Sequence, residues 1–288
     1  MVLCHGFFGF EQFAGAEFAT YFYKVREHLA SQGETLVFTP AVDPFNDSSV
    51  RGAQLIERIE QIRMATGYAK VNLVGHSQGG LDVRVVAHER PDLVASVTTI
   101  ATPHGGTPVA DLVLKLVQSP ALQDVLDAVV KLVGAPLYDA VGEDTSVMAP
   151  LKLFSKPGIT AFNAKYTDSP SVEYYSITGR TGYHLGGSHC NVANAPSFVS
   201  KYKLVTDATD ALLVATETYL DGGLTDPYPN DGLVRVQDAK WGTFLGCVPA
   251  DHLDEVGHLF GDKPGLTNSF DHLEFYASLV AFLRQKAF

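Results

Sequence analysis

Short apolar runs alternate with amphipathic stretches along the first hundred residues. Val2-Leu3-Cys4, Thr35-Leu36-Val37-Phe38, Val71-Asn72-Leu73-Val74 and the run from Leu93 to Ile100 read as strands, with helical patterns between them. That rhythm predicts an α/β chain: a mostly parallel sheet whose strands are joined by crossover helices. Asp47-Ser48-Ser49 offers an N-cap to a helix in which Val50, Ala53, Ile56 and Ile59 recur at helical spacing, with Arg51, Glu57, Arg58 and Glu60 on its other faces. A further helix should start abruptly at Ser77 and run to about His88, before Pro91. From about residue 108 to 155 the pattern is helical with no strand. Val109, Leu112, Leu114, Leu116 and Val117 lead to Leu122, Val125, Leu126, Val129, Val130 and Leu132, which describe either core helices or an apolar cap over a site. Strand character returns at Glu173-Tyr174-Tyr175-Ser176-Ile177. A Gly/Ser/Asn-rich loop (179–197), a helix from near Thr206-Asp207 towards Leu220, and an amphipathic helix from Asp271 to Lys286 complete the chain. Without a repeat, a low-complexity tract or a linker, residues 1–288 are expected to form one domain.

Composition narrows the classes. The 288 residues are 46% hydrophobic and 18% charged, which suits a large globular domain. Acidic residues outnumber basic ones 32 to 21, and the net charge of -11, with no Lys/Arg-rich run, disfavours nucleic-acid binding. No apolar run approaches the roughly 18 residues needed to span a bilayer. The opening residues carry no signal-peptide pattern, so the compartment is not encoded here. Three cysteines make neither a disulfide scaffold nor a CxxC pair. Cys4 reads as a buried thiol. Cys190 and Cys247 both lie in Gly-rich loop sequence, where a bridge is one of two open readings; a bridge would argue for export.

Gly75-His76-Ser77-Gln78-Gly79 matches Gly-x-Ser-x-Gly, follows an apolar run and precedes a helix. That context defines a nucleophile elbow, in which Ser77 occupies a strained strand-to-helix turn and the two glycines keep clear of neighbouring backbone. A serine nucleophile needs amide donors for the oxyanion. One should be the N–H of Gln78, the other that of Phe7, in the His5-Gly6-Phe7-Phe8-Gly9-Phe10 loop. The side chains of Phe7 and Phe8 fit either a core or an acyl-binding cleft.

Around such an elbow the chain order is Ser, then Asp or Glu, then His. His252, in Asp251-His252-Leu253-Asp254-Glu255, is the leading general base, ahead of His258. Asp231, in Asn230-Asp231-Gly232-Leu233-Val234 before a strand-like run, leads as the acid; Asp226 and Asp251 are alternatives. His5 and His76 read as structural hydrogen-bonders.

Taken together with Val50-Arg51-Gly52, Arg90-Pro91-Asp92-Leu93-Val94 and Thr102-Pro103-His104-Gly105-Gly106, these motifs resemble the bacterial true lipases of the Pseudomonas and Burkholderia type, secreted α/β-hydrolases acting on triacylglycerols. The likeness spans residues 1–110 and 205–262; in between, the chain matches only as a helical cap region followed by a strand. It implies an α/β-hydrolase fold, a triad of Ser77, Asp231 and His252, a lid over residues 108–155, and hydrolysis of long-chain acylglycerols at a lipid–water interface. It implies no organic cofactor but a structural calcium, held by the carboxylates of Asp207 and Asp254 and by the carbonyls of His258 and Asp262. The sequence departs from the family in having His258 where Gln is usual, and in placing Cys247 just ahead of His252. A short-chain esterase, an acyltransferase and a binding protein that retains the fold stay open as alternatives.

Overall fold

The computed structural model describes residues 1–7, 21–116, 148–222, 227–261, 264–265, 267–286 and 288. In chain order the elements are β1 (Val2–Cys4), α1 (Val25–Ser31), α2 (Ser48–Thr66), β2 (Val71–His76), α3 (Gln78–Glu89), β3 (Val94–Ile100), α4 (Pro108–Leu116), α5 (Met148–Phe154), α6 (Lys156–Lys165) and β4 (Glu173–Gly179). Then follow α7 (Gly187–Cys190), α8 (Ser197–Ser200), α9 (Val214–Asp221), β5 (Thr243–Val248), α10 (His258–Gly261) and α11 (His272–Gln285). The strands pair in parallel in the order β1-β2-β3-β4-β5.

Because side chains alternate across a strand, each face of this sheet has its own core. Leu3, Val74, Ile100 and Ile177 point towards α1 and α11, where they meet Val25, Leu29, Phe275, Tyr276 and Leu279. Val2, Cys4, Leu73 and Val97 point the other way, onto Leu55 and Ile59 of α2 and Val83 and Val86 of α3. The result is a three-layer α/β/α arrangement. Within the second layer, Gly52 lets α2 approach α3 closely, since a Cβ there would lie 2.6 Å from the Val85 side chain. Arg51 spans the gap, buried, pairing with Asp82 at 2.8 Å and donating to the His5 carbonyl at 2.7 Å.

Several expectations need correction. Residues 35–38 do not form a strand: only the Val2–Phe38 bridge forms, because Leu3 N–H donates to Phe38 O and Phe38 N–H to Met1 O before the chain turns away. The helix expected from Thr206–Asp207 begins at Val214, since Asp207 is drawn into a carboxylate cluster rather than capping a helix. The apolar pair Leu233-Val234 sits in a turn closed by Asp231, not in a strand. The sheet gains β5 instead, an element masked in the sequence by Gly246, whose φ of 126° marks an irregularity in pairing with β4. Helix α6 also extends past the anticipated end of the helical region.

Candidate active site

The site stands at the carboxyl end of the sheet. β2 ends at His76, and Ser77 takes φ 54° and ψ -127°, a strained conformation for a residue with a Cβ, before α3 begins at Gln78. Its N–H is held by the Ile100 carbonyl at 2.9 Å. Gly79 is required next to it, because a Cβ there would run into the carbonyls of Cys4 and His5. Gly6 is held as tightly: its Cβ would lie 2.7 Å from the Ser77 Cβ and 2.5 Å from the Tyr21 hydroxyl. The loop after β1 therefore runs directly against the serine. This brings Phe7 beside the elbow, its ring edge-on to Phe154 with 6.2 Å between centroids. Gln78 is the first residue of α3, so its N–H has no partner within the helix; its side chain points away, donating to Asn46 O at 2.8 Å. Phe8 lies outside the described residues.

His252 and Asp231, 21 positions apart, meet in the fold. Nδ1 of His252 lies 2.8 Å from Asp231 Oδ2, with Asp231 fully buried. The other carboxylate oxygen accepts from Leu233 N–H at 2.8 Å and Val234 N–H at 2.6 Å, and His252 N–H donates to the Asp231 carbonyl at 2.8 Å. These contacts leave the acid no rotational freedom and orient the imidazole with Nε2 away from Asp231. The other face of that ring meets His76. Of the alternative acids, Asp251 is turned to other partners, and Asp226 lies outside the described residues.

His76 itself is locked, its Nδ1 2.7 Å from the Tyr21 hydroxyl and its Nε2 3.0 Å from Glu255 Oε2. Burial pushes the His76 imidazole well below its usual range and the Glu255 carboxyl well above, so both favour their neutral forms. Glu255 and Tyr21 escaped the sequence reading. Glu255 had a signal, its place beside His252 in an acid-rich loop; Tyr21 had none, being 55 positions from its partner. His5 is structural too: its Nδ1 donates to the Gly6 carbonyl at 2.9 Å and its Nε2 accepts from Val42 N–H at 3.1 Å.

Beneath the His252 loop, the carboxylates of Asp207, Asp251 and Asp254 converge, one oxygen of each within 4.8 Å of the others, all three residues buried. Asp207 Oδ2 is buried without a hydrogen-bond partner among the described residues. Burial first, then repulsion from Asp251 and Asp210, pushes the Asp207 carboxyl up to about 7; burial and Asp210 push Asp251 up to about 6. A cluster of hard oxygens carrying surplus negative charge fits a cation such as calcium. The set differs from the sequence expectation by including Asp251. The His258 ring packs edge-on against Tyr21, 4.5 Å between centroids, and Asp262 lies outside the described residues. Cys190 and Cys247 are joined in a disulfide with Cα atoms 5.3 Å apart; Cys4 is free and buried.

A strained serine between strand and helix at the carboxyl edge of a parallel sheet, with a buried Asp–His pair packed on the histidine that precedes it, is the arrangement of an α/β-hydrolase. The model of the alpha/beta hydrolase fold family matches residues 1–186, and the chain belongs to that family. It is 33% identical over 271 residues to a triacylglycerol lipase of Vibrio cholerae, covering 91% of this chain and 80% of the relative. A triacylglycerol lipase of Burkholderia plantarii is 31% identical over 287 residues, covering 91% and 79%. Among solved structures, the Staphylococcus hyicus lipase superposes with a TM-score of 0.67 at 18% identity, covering 99% of this chain and 95% of that one, a likeness of fold.

Proposed function

We propose that this protein is a triacylglycerol lipase that cleaves carboxylic esters of long-chain acylglycerols through an acyl-enzyme on Ser77. The observation that carries the reading is the 2.8 Å bond between His252 Nδ1 and Asp231, with the His252 ring 4.6 Å from that of His76, the residue before the strained serine. In this mechanism Ser77 Oγ attacks the ester carbonyl while His252 Nε2 takes its proton. The oxyanion forms against the N–H groups of Gln78 and Phe7, and collapse expels the alcohol, which receives the proton from His252. Water, deprotonated by His252, then attacks the acyl carbon; the C–O bond to Ser77 breaks, releasing the fatty acid, and His252 returns the proton to Ser77 Oγ. Asp231 holds the tautomer and offsets the imidazolium charge throughout.

A calcium ion at Asp207, Asp251 and Asp254 would neutralise the buried carboxylates and tie the 207–210 segment to the His252 loop, with no part in the chemistry. Residues 108–155 would act as a lid. The ends of that stretch within the described residues, α4 and α5, are helical, and Val109 and Val113 pack on Leu220. A lipid–water interface as partner follows from such a lid, and secretion is supported by the Cys190–Cys247 bridge. Among the described residues no helix is long and apolar enough to cross a membrane.

The test is Ser77→Ala with an organophosphorus ester probe. The variant should lose hydrolysis by several orders of magnitude and all covalent labelling while keeping its fold. Near-native activity, or a rate profile that falls rather than rises with acyl length at an oil–water interface, would refute the mechanism or the substrate class respectively.

A further inference from the structure

We propose that His184, Glu217 and Asp221 form a binding site for a divalent transition metal of the zinc class, distinct from the Asp207 cluster and independent of the hydrolytic reading. His184 Nε2 lies 3.0 Å from Asp221 Oδ1 and 3.7 Å from Glu217 Oε1, and the three candidate ligand atoms all lie within 4.8 Å of one another. Tetrahedral bonds of about 2.0–2.1 Å place neighbouring ligand atoms roughly 3.3–3.4 Å apart, and the two nitrogen–oxygen separations of 3.7 and 3.0 Å bracket that spacing.

Two further observations separate this cluster from an ordinary ion triad. Asp221 Oδ1 is shielded from solvent and makes no hydrogen bond of normal geometry among the described residues, although the imidazole nitrogen is 3.0 Å away. Nitrogen and oxygen are therefore close without being aimed at each other, the relation expected of two ligands that share a central ion. The ligands are also built into the fold. Glu217 and Asp221 stand four positions apart on one face of α9. Gly182, at φ 68°, leaves room where a Cβ would collide with the Glu217 carboxylate, and the His184 N–H donates to Thr181 O at 3.3 Å.

Two carboxylates against one imidazole leave surplus negative charge. Burial and then Asp221 push the Glu217 carboxyl up, as that surplus requires. One nitrogen and two oxygen ligands, with water in the fourth position, suit zinc better than calcium, which prefers oxygen alone. All three side chains are partly exposed, giving an entry path. An ion there would clamp the loop after β4 to α9. That helix supports the start of the helical region through Leu220 and, through the Glu217 carbonyl, accepts from Asn230 Nδ2 at 3.3 Å beside Asp231.

The experiment is titration of the chelator-stripped full chain with Zn²⁺ in excess calcium, followed by calorimetry and thermal melting, with Co²⁺ absorption as a second readout. We expect one Zn²⁺ per chain, a raised Tm and a tetrahedral Co²⁺ spectrum. His184→Ala and Asp221→Asn should each weaken Zn²⁺ binding by at least about tenfold, while Asp207→Asn leaves it unchanged. No binding by the wild-type chain, a Co²⁺ spectrum without tetrahedral bands, or unchanged affinity in His184→Ala would overturn the proposal. Because the Co²⁺ readout uses the wild-type chain, it stands even where a variant folds poorly, and no outcome depends on ester hydrolysis.

Discussion

The imidazoles of His76 and His252 lie 4.6 Å apart between centroids, inclined at 48°. The residue before the serine thus forms the floor on which the ring bonded to Asp231 rests. A charged floor would oppose the charge that the proposed mechanism places on His252. Tyr21 and Glu255 bracket His76, and burial keeps it neutral, so the floor fixes position without that penalty.

Asp231→Asn should keep the fold but lower kcat/KM on a soluble ester by about 10⁴-fold, because an amide cannot hold the same tautomer or offset the imidazolium. The enzyme's rate and its far-ultraviolet dichroism are the measurements. A loss of less than tenfold in a folded variant would show that another acid supports His252.

Gly6→Ala should be costly for a protein that still folds, since the new Cβ meets the Ser77 Cβ at 2.7 Å and displaces the loop that carries Phe7. The loss should appear chiefly in kcat, by about 10²–10³-fold, the range for removing one oxyanion donor. Unchanged kcat would take the 6–7 loop out of the site.

Removing calcium should lower the Tm and activity together, and excess calcium should restore both. In Asp207→Asn one ligand and one buried charge disappear, so the Tm should no longer respond to calcium. A wild-type Tm indifferent to exhaustive chelation, with no calcium found by elemental analysis, would exclude the ion from this cluster.

Acid stability should carry the signature of His5. Burial, then the Arg51 charge, lowers its imidazole to about 3 from an ordinary value of 6.5. The unfolded chain therefore binds the proton first: the contribution is fully present above pH 6.5 and is lost as pH falls towards 3. His5→Gln should lower stability at pH 7 by about 1–2 kcal/mol yet flatten the decline between pH 6 and 4. Equal slopes for both proteins in urea melts across that window would contradict it.

Local physics made much of this legible in the sequence. The Gly75 to Gly79 spacing fixes the elbow because backbone sterics act within five residues, and the alternation of apolar positions fixes which sides of β1 to β4 face each core. The helix after Ser77 follows from the same short-range rules. The order of Ser77, Asp231 and His252 along the chain, read against the family pattern, also selected the pair that the fold brings to 2.8 Å.

Long-range contacts were decided only by the tertiary structure. Whether residues 35–38 pair, whether Asp207 caps a helix or joins Asp251 and Asp254, and whether Leu233–Val234 extends or turns all depend on partners far away in the chain. The same holds for Tyr21, His76 and Glu255, whose bonds span 55 and 179 positions. A buried polar group must find a hydrogen-bond or charge partner wherever the packed layers place one, and that choice is made by the assembled core, since the residue's own neighbours do not name the distant partner.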